Sequence, residues 1–295
     1  MNPLDKDLFQ SLYTLDVLTI PIAAQMLSSA ADPKNGARTV GQHLHKLRTL
    51  GLADYVERKR KLRIYYLTEL GRFLGGVLAT GRWDAVGKVK DPLRGGELLR
   101  QPYTNHFLEV AEIAASFSYL RDRQVGRLEQ WHGDYRERPW ECSWLGVNHR
   151  LYPDGRGFVT DENGGAFSFL LELERNNPKQ DEAVEKFRKY CLMQVTREYT
   201  RRTGEDKMPP VLVVVVSPYK SVAAVETAVV AGTLQARLTI SDASRRIVFA
   251  IATLTAIRDH GPYADIWRCP VQALSDVGFY ELYGILRGDG RVVAS

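Results

Sequence analysis

Leu151-Tyr152-Pro153-Asp154-Gly155, and after it Ala166-Phe167-Ser168-Phe169-Leu170-Leu171-Glu172-Leu173-Glu174, are the two runs on which the reading of this sequence turns. Pro-Asp-Gly bends a chain, and Asp161-Glu162-Asn163-Gly164-Gly165 between the runs has the composition of a second turn. The spacing predicts a hairpin. Residues two apart on a strand share a face, so Glu172 and Glu174 project together and the hairpin brings Asp154 alongside them. Three carboxylates at the end of an otherwise apolar sheet repel one another unless a hard cation such as Mg²⁺ neutralises them. Pro-Asp-Gly is equally a common turn, and Glu-Leu-Glu a common exposed strand end, so a structural reading stands beside the metal one.

Working outward, Asp181 to Thr196 reads as a helix that offers Lys186, Arg188, Lys189 and Tyr190. Asn105 to Leu120 repeats Phe107, Val110, Ala111, Ala114, Phe117 and Leu120 at three and four, an amphipathic helix that also carries Glu109 and Glu112. Leu128 to Trp131 and Trp140 to Trp144 read as short strands. Val211 to Val216 is a continuous apolar run of buried-strand type, followed by a helix over Ser221 to Ala231 and a strand over Ile247 to Leu254. Helices alternating with buried strands predict an α/β (α+β) domain.

The first third has another character. Leu8, Leu12 and Leu15 mark one helix, Ile22, Ala23, Met26 and Leu27 a second, and Val40, Leu44, Leu47 and Leu50 a third that ends at Gly51. Leu52 to Val56 and Leu62 to Leu67 are β-prone runs around the basic tip Arg58-Lys59-Arg60-Lys61, which predicts a hairpin before Thr68-Glu69-Leu70-Gly71 starts a helix. This order of parts resembles the winged-helix domains of bacterial transcription regulators and replication proteins. The resemblance implies DNA contacts from the third helix and the wing: Arg38, Thr39, Gln42, His43, Lys46 and Arg48, with Arg58, Lys59, Arg60, Lys61 and Arg63. His43 and His45 point about 200° apart on a helix and cannot share one metal ion.

Charge agrees with that division. Residues 1–100 hold 16 Lys and Arg against 10 Asp and Glu, and the remainder 24 against 25, so the whole +5 excess sits in the first third. A positive field on one module suits a phosphate backbone. No apolar run approaches the roughly 20 residues of a membrane span, and the N-terminus has acids where a secretory signal carries positive charge. The chain is therefore expected to be cytoplasmic. Cys142, Cys191 and Cys269 are too far apart for CxxC spacing and are read as buried thiols. Gly, Arg and Pro between residues 75 and 103 predict a linker, giving domains over 1–85 and 103–295 with 86–102 between them.

Pro153-Asp154 and Glu172-Leu173-Glu174 resemble the PD-(D/E)XK nuclease superfamily, in which an Asp after Pro and an acid one strand later bind metal while a Lys two positions on helps activate water. Glu174 stands where that motif has Lys, and Lys186 or Lys189 is the basic group that could take the role. The succession of winged helix, amphipathic helix, "PDG", "LELER" and "KFRKY" resembles the replication-relaxation family of plasmid and mobile-element proteins. The resemblance implies a nuclease-like α/β domain in an endonuclease or nickase. Asp154, Glu172 and Glu109 would hold Mg²⁺ or Mn²⁺, with Glu174, Lys186 and Lys189 assisting. The partners implied are double-stranded DNA and other replication or transfer proteins, with a homodimer allowed. Two further readings are a non-catalytic replication initiator or transcription regulator with a degenerate nuclease fold, and a covalent relaxase using Tyr190 or Tyr199.

Overall fold

The computed structural model describes residues 3–27, 33–58, 61–80, 101–118, 127–133, 139–161, 164–175, 180–216, 221–240, 247–270, 277–280 and 285. The chain divides into two compact units, Met1–Arg136 and Glu137–Ser295. Its class is mixed α/β.

In the first unit α1 (Pro3–Leu15) is followed by β1 (Val17–Leu18), α2 (Ile20–Leu27), α3 (Pro33–Thr49), β2 (Ala53–Arg58), β3 (Leu62–Leu67) and α4 (Glu69–Thr80). Leu8, Phe9, Leu12 and Leu15 of α1 are buried, as are Val40, Leu44 and Leu47 of α3, because their spacing at three and four places them on one stripe. α3 ends in a Schellman closure. Gly51 takes φ +71°, its N–H donates to the Arg48 carbonyl at 2.8 Å, and Leu52 N–H donates to the Leu47 carbonyl at 3.0 Å. The strands form one antiparallel sheet in the order β1-β3-β2, in register from Ala53 opposite Leu67 to Arg58 opposite Leu62.

α5 (Gln101–Ser118) and β4 (Arg127–Gly133) complete this unit. Reading α5 as the start of the second domain placed it elsewhere. Its Phe107 and Leu108 pack on Val17 and Ile64 of the small sheet. The expected linker lies outside the described residues, apart from Gln101 and Pro102, which open α5.

The second unit is built on strands in the order β12-β11-β10-β9-β8-β7: β12 (Val277–Tyr280), β11 (Trp267–Pro270), β10 (Phe249–Thr253), β9 (Val211–Val215), β8 (Ala166–Glu174) and β7 (Gly155–Thr160). β8, β9 and β10 are parallel, with antiparallel β7 and β11 on either side. β9 is buried at every position, as its unbroken Val/Leu run requires. α6 (Gln180–Val195) and α8 (Val222–Ile240) pack on one face, burying Phe187, Tyr190, Cys191, Val225 and Val229 with Leu170, Val211 and Val213. α7 (Glu198–Thr203) follows α6, and α9 (Leu254–His260) follows β10. The hairpin of β5 (Trp140–Trp144) and β6 (Val147–Leu151) adds Trp140, Cys142 and Leu151 to the same core. β6 was not anticipated: Val-Asn-His-Arg-Leu shows little apolar alternation, and its pairing with β5 makes it a strand. The three cysteines are free and buried, as expected.

Candidate functional site

The hairpin around residues 154–174 forms with Gly155 opposite Leu171, which sets Asp154 beside Glu172 at the next position. Glu172 and Glu174 are two apart on β8 and take the same face. All three carboxylates are under 10% exposed. The backbone N–H of Leu173 donates to Asp154 Oδ2 at 2.6 Å and fixes that side chain across the hairpin. Tyr190 of α6 is fully buried and donates its hydroxyl to Glu172 Oε2 at 2.5 Å. One helical turn earlier, Lys186 sends its ammonium to Glu172 Oε1 and to Glu174 Oε2, the latter at 3.1 Å. Helix α6 thus presents an amine and a phenol to the acid strand because positions four apart share a face.

Burial pushes the Glu172 carboxyl up to about 7, and the neighbouring Asp154 adds to the rise while Lys186 opposes it. Burial works against the Lys186 ammonium, yet Glu172, Glu174 and Asp154 together hold its pKa above the ordinary lysine range. Glu109 sits on α5 in the first unit, where it is half-buried. Among the described residues no group of three or more His, Cys, Asp or Glu side chains stands as a metal-holding set. Lys189 is half-buried on α6, and the amine that reaches the carboxylates is that of Lys186.

Neither tyrosine considered as a nucleophile is accessible. Tyr190 and Tyr199 are both 0% exposed. Burial, with a carboxylate accepting each hydroxyl, drives both phenols upward, the reverse of what a phenolate nucleophile needs. Tyr199 donates to Glu205, and Arg156 of β7 bonds Glu205 at 2.5 Å and the Tyr199 hydroxyl at 3.2 Å. This second polar cluster was missed by sequence reasoning. Its only signal was Arg156 at two residues from Asp154, and Glu205 reaches it through the tertiary fold alone.

In the first unit Arg38, Thr39 and Gln42 lie exposed on α3. His43 and Lys46 turn back onto Asp5 of α1, which is wholly buried: His43 Nδ1 lies 2.6 Å from Oδ1 and Lys46 Nζ 2.5 Å from Oδ2. Arg48 and Arg63 lie over the Tyr55 ring, 4.7 and 4.9 Å from its centre, each with its Nε on an acid of β2, Asp54 at 3.1 Å and Glu57 at 3.5 Å. Arg58 donates to Asn105 Oδ1 at 2.8 Å. Lys61 is exposed at φ +59°, and Lys59 and Arg60 lie outside the described residues.

The sequence profile of a family described as replication-relaxation matches residues 9–207 of the 295. The chain belongs to the replication-relaxation family. The part of this replication-relaxation protein that matches runs from α1 through the acid hairpin, α6 and α7, and so includes Asp154, Glu172, Glu174, Lys186 and Tyr190. No curated protein and no solved structure matched the chain. Among the described residues no helix is long and apolar enough to cross a membrane.

Proposed function

We propose that this replication-relaxation protein binds duplex DNA through a winged helix in its first unit and cuts a DNA phosphodiester at Asp154 and Glu172, in the replication or mobilisation of plasmid-like DNA. The observation that carries this reading is the convergence of three buried carboxylates, Asp154, Glu172 and Glu174, at one end of the acid strand. Burial above all pushes the Glu172 carboxyl up to about 7. A hard divalent cation suits the carboxylate oxygens of Asp154 and Glu172. Asp154 and Glu172 would hold Mg²⁺ or Mn²⁺, which would lower the pKa of a water and screen charge at the phosphate.

The chain's own residues supply the rest. Leu173 N–H and the Tyr190 hydroxyl each fix one oxygen of the two acids, so the carboxylates are oriented before substrate arrives. Lys186 brings from α6 the amine that Glu174 cannot offer, with reach to orient an attacking water or a phosphate oxygen. Arg38, Thr39 and Gln42 would read the duplex while Arg48, Arg58, Lys61 and Arg63 bind phosphates, a division that agrees with the basic excess in the first third.

A second reading, a non-catalytic initiator or regulator, is favoured by the Lys186 bridge, since an ammonium already seated on Glu172 neutralises part of the cluster from within. Supercoiled plasmid incubated with the full chain and Mg²⁺ or Mn²⁺ separates the two. Nicking by wild type that is lost in Asp154→Ala and Lys186→Gln is expected. Absence of nicking under either metal, or equal nicking by Asp154→Ala, rejects the nuclease and leaves the initiator, for which Glu172→Ala would replicate normally in cells.

A further inference from the structure

We infer that Glu174 is the docking carboxylate of Lys186 and not a metal ligand, and that Lys186 is the resident cation of this site, which shifts wholly onto Glu174 when a divalent ion takes Glu172. The inference rests on the metal reading above and deepens it. It starts from one juxtaposition: a single ammonium touches Glu172 Oε1 and Glu174 Oε2 at once, on the strand face where Asp154 also stands.

The two acids are held differently. Glu172 has its other oxygen fixed by the Tyr190 hydroxyl at 2.5 Å, so the oxygen that Lys186 occupies is the one turned towards the rest of the cluster. A cation bound between Asp154 and Glu172 competes with the ammonium for that oxygen, because two positive charges a few ångströms apart in a buried site repel strongly. Lys186 need not leave the site to yield. Glu174 Oε2 already accepts from the same amine at 3.1 Å, and a side chain a third exposed on α6 has freedom to move. A Glu at this position is then functional: it keeps an amine that arrives from a helix within reach of the scissile group after metal has displaced it from Glu172.

Titration of the full chain with Mn²⁺, followed by calorimetry and by the shift in melting temperature, tests this without any turnover. Lys186→Gln should bind Mn²⁺ about tenfold more tightly than wild type, and Glu174→Gln about tenfold more weakly, the scale of outer-sphere partners of a metal site. The decisive measurement is the double variant, which exposes coupling between neighbours. If Glu174 acts through Lys186, adding Glu174→Gln to Lys186→Gln changes the Mn²⁺ affinity little. If the two effects simply add, Glu174 acts on the metal directly and the inference is overturned, though the metal reading stands. Equal affinity of wild type and Glu174→Gln overturns it as well, and this single variant serves if Lys186→Gln does not fold. No Mn²⁺ binding by any of the proteins removes the metal reading and this inference together.

Discussion

Glu172 is an acid buried beside another acid, with the Lys186 ammonium on one of its oxygens. A carboxyl raised from 4.5 to about 7 keeps its proton in the folded chain after the unfolded chain has lost it. Unfolding therefore releases a proton between those values, and stability falls as pH rises through the window, levelling off above it. The loss is at most about 3 kcal/mol. Urea unfolding of the metal-free protein across this range should show the fall in wild type and a flatter profile in Glu172→Gln; parallel profiles would mean that Glu172 titrates normally. The acids themselves were legible in the sequence, since the two-residue repeat and the turn residues set their register. Their partners were not: Tyr190 was considered as a nucleophile, whereas the fold makes it a donor to Glu172.

α3 shows what an element's sequence pattern reveals and what it leaves open. Its spacing marked Val40, Leu44 and Leu47 as the buried stripe, Leu50 beyond the last turn is exposed, and Gly51 fixed its end. The remaining basic side chains looked equivalent, yet Asp5 on α1 claims His43 and Lys46, so Lys46 is exposed with its ammonium already engaged, beside exposed Arg38, Thr39, Gln42 and Arg48. Asp5→Asn removes the charge that the Lys46 ammonium and the His43 ring meet and should cost about 1–3 kcal/mol, read by chemical denaturation. Freed, the Lys46 ammonium should strengthen the salt dependence of duplex binding; an unchanged stability and salt slope would show that the Asp5 contacts do not hold α3. The start of α4 is similarly constrained. A methyl group added at Gly71 would lie 1.9 Å from the Leu52 carbonyl oxygen, which is itself tied to Thr68 N–H at 3.1 Å. Backbone cannot give way as a flexible side chain can, so Gly71→Ala should lower the melting temperature by the equivalent of about 1–3 kcal/mol. An unaltered melting curve would place α4 elsewhere.

At the scale of the whole molecule, the match to the replication-relaxation family spans the α3 region and the acid hairpin together. A Gly/Pro-rich stretch suggested a linker over 86–102, whereas the compact units are Met1–Arg136 and Glu137–Ser295, with Phe107 and Leu108 of α5 packed on the small sheet. The sequence alone determined the class of the fold, the order of its first helices and strands, the hairpin register and the three acids, since these follow from local periodicity and turn chemistry. Tertiary structure alone decided which cation faces those acids, which basic residues of α3 are tied to Asp5, and what α5 packs against. Each of these depends on which distant surfaces come together, and hydrophobic or charged side chains accept many partners until packing leaves one.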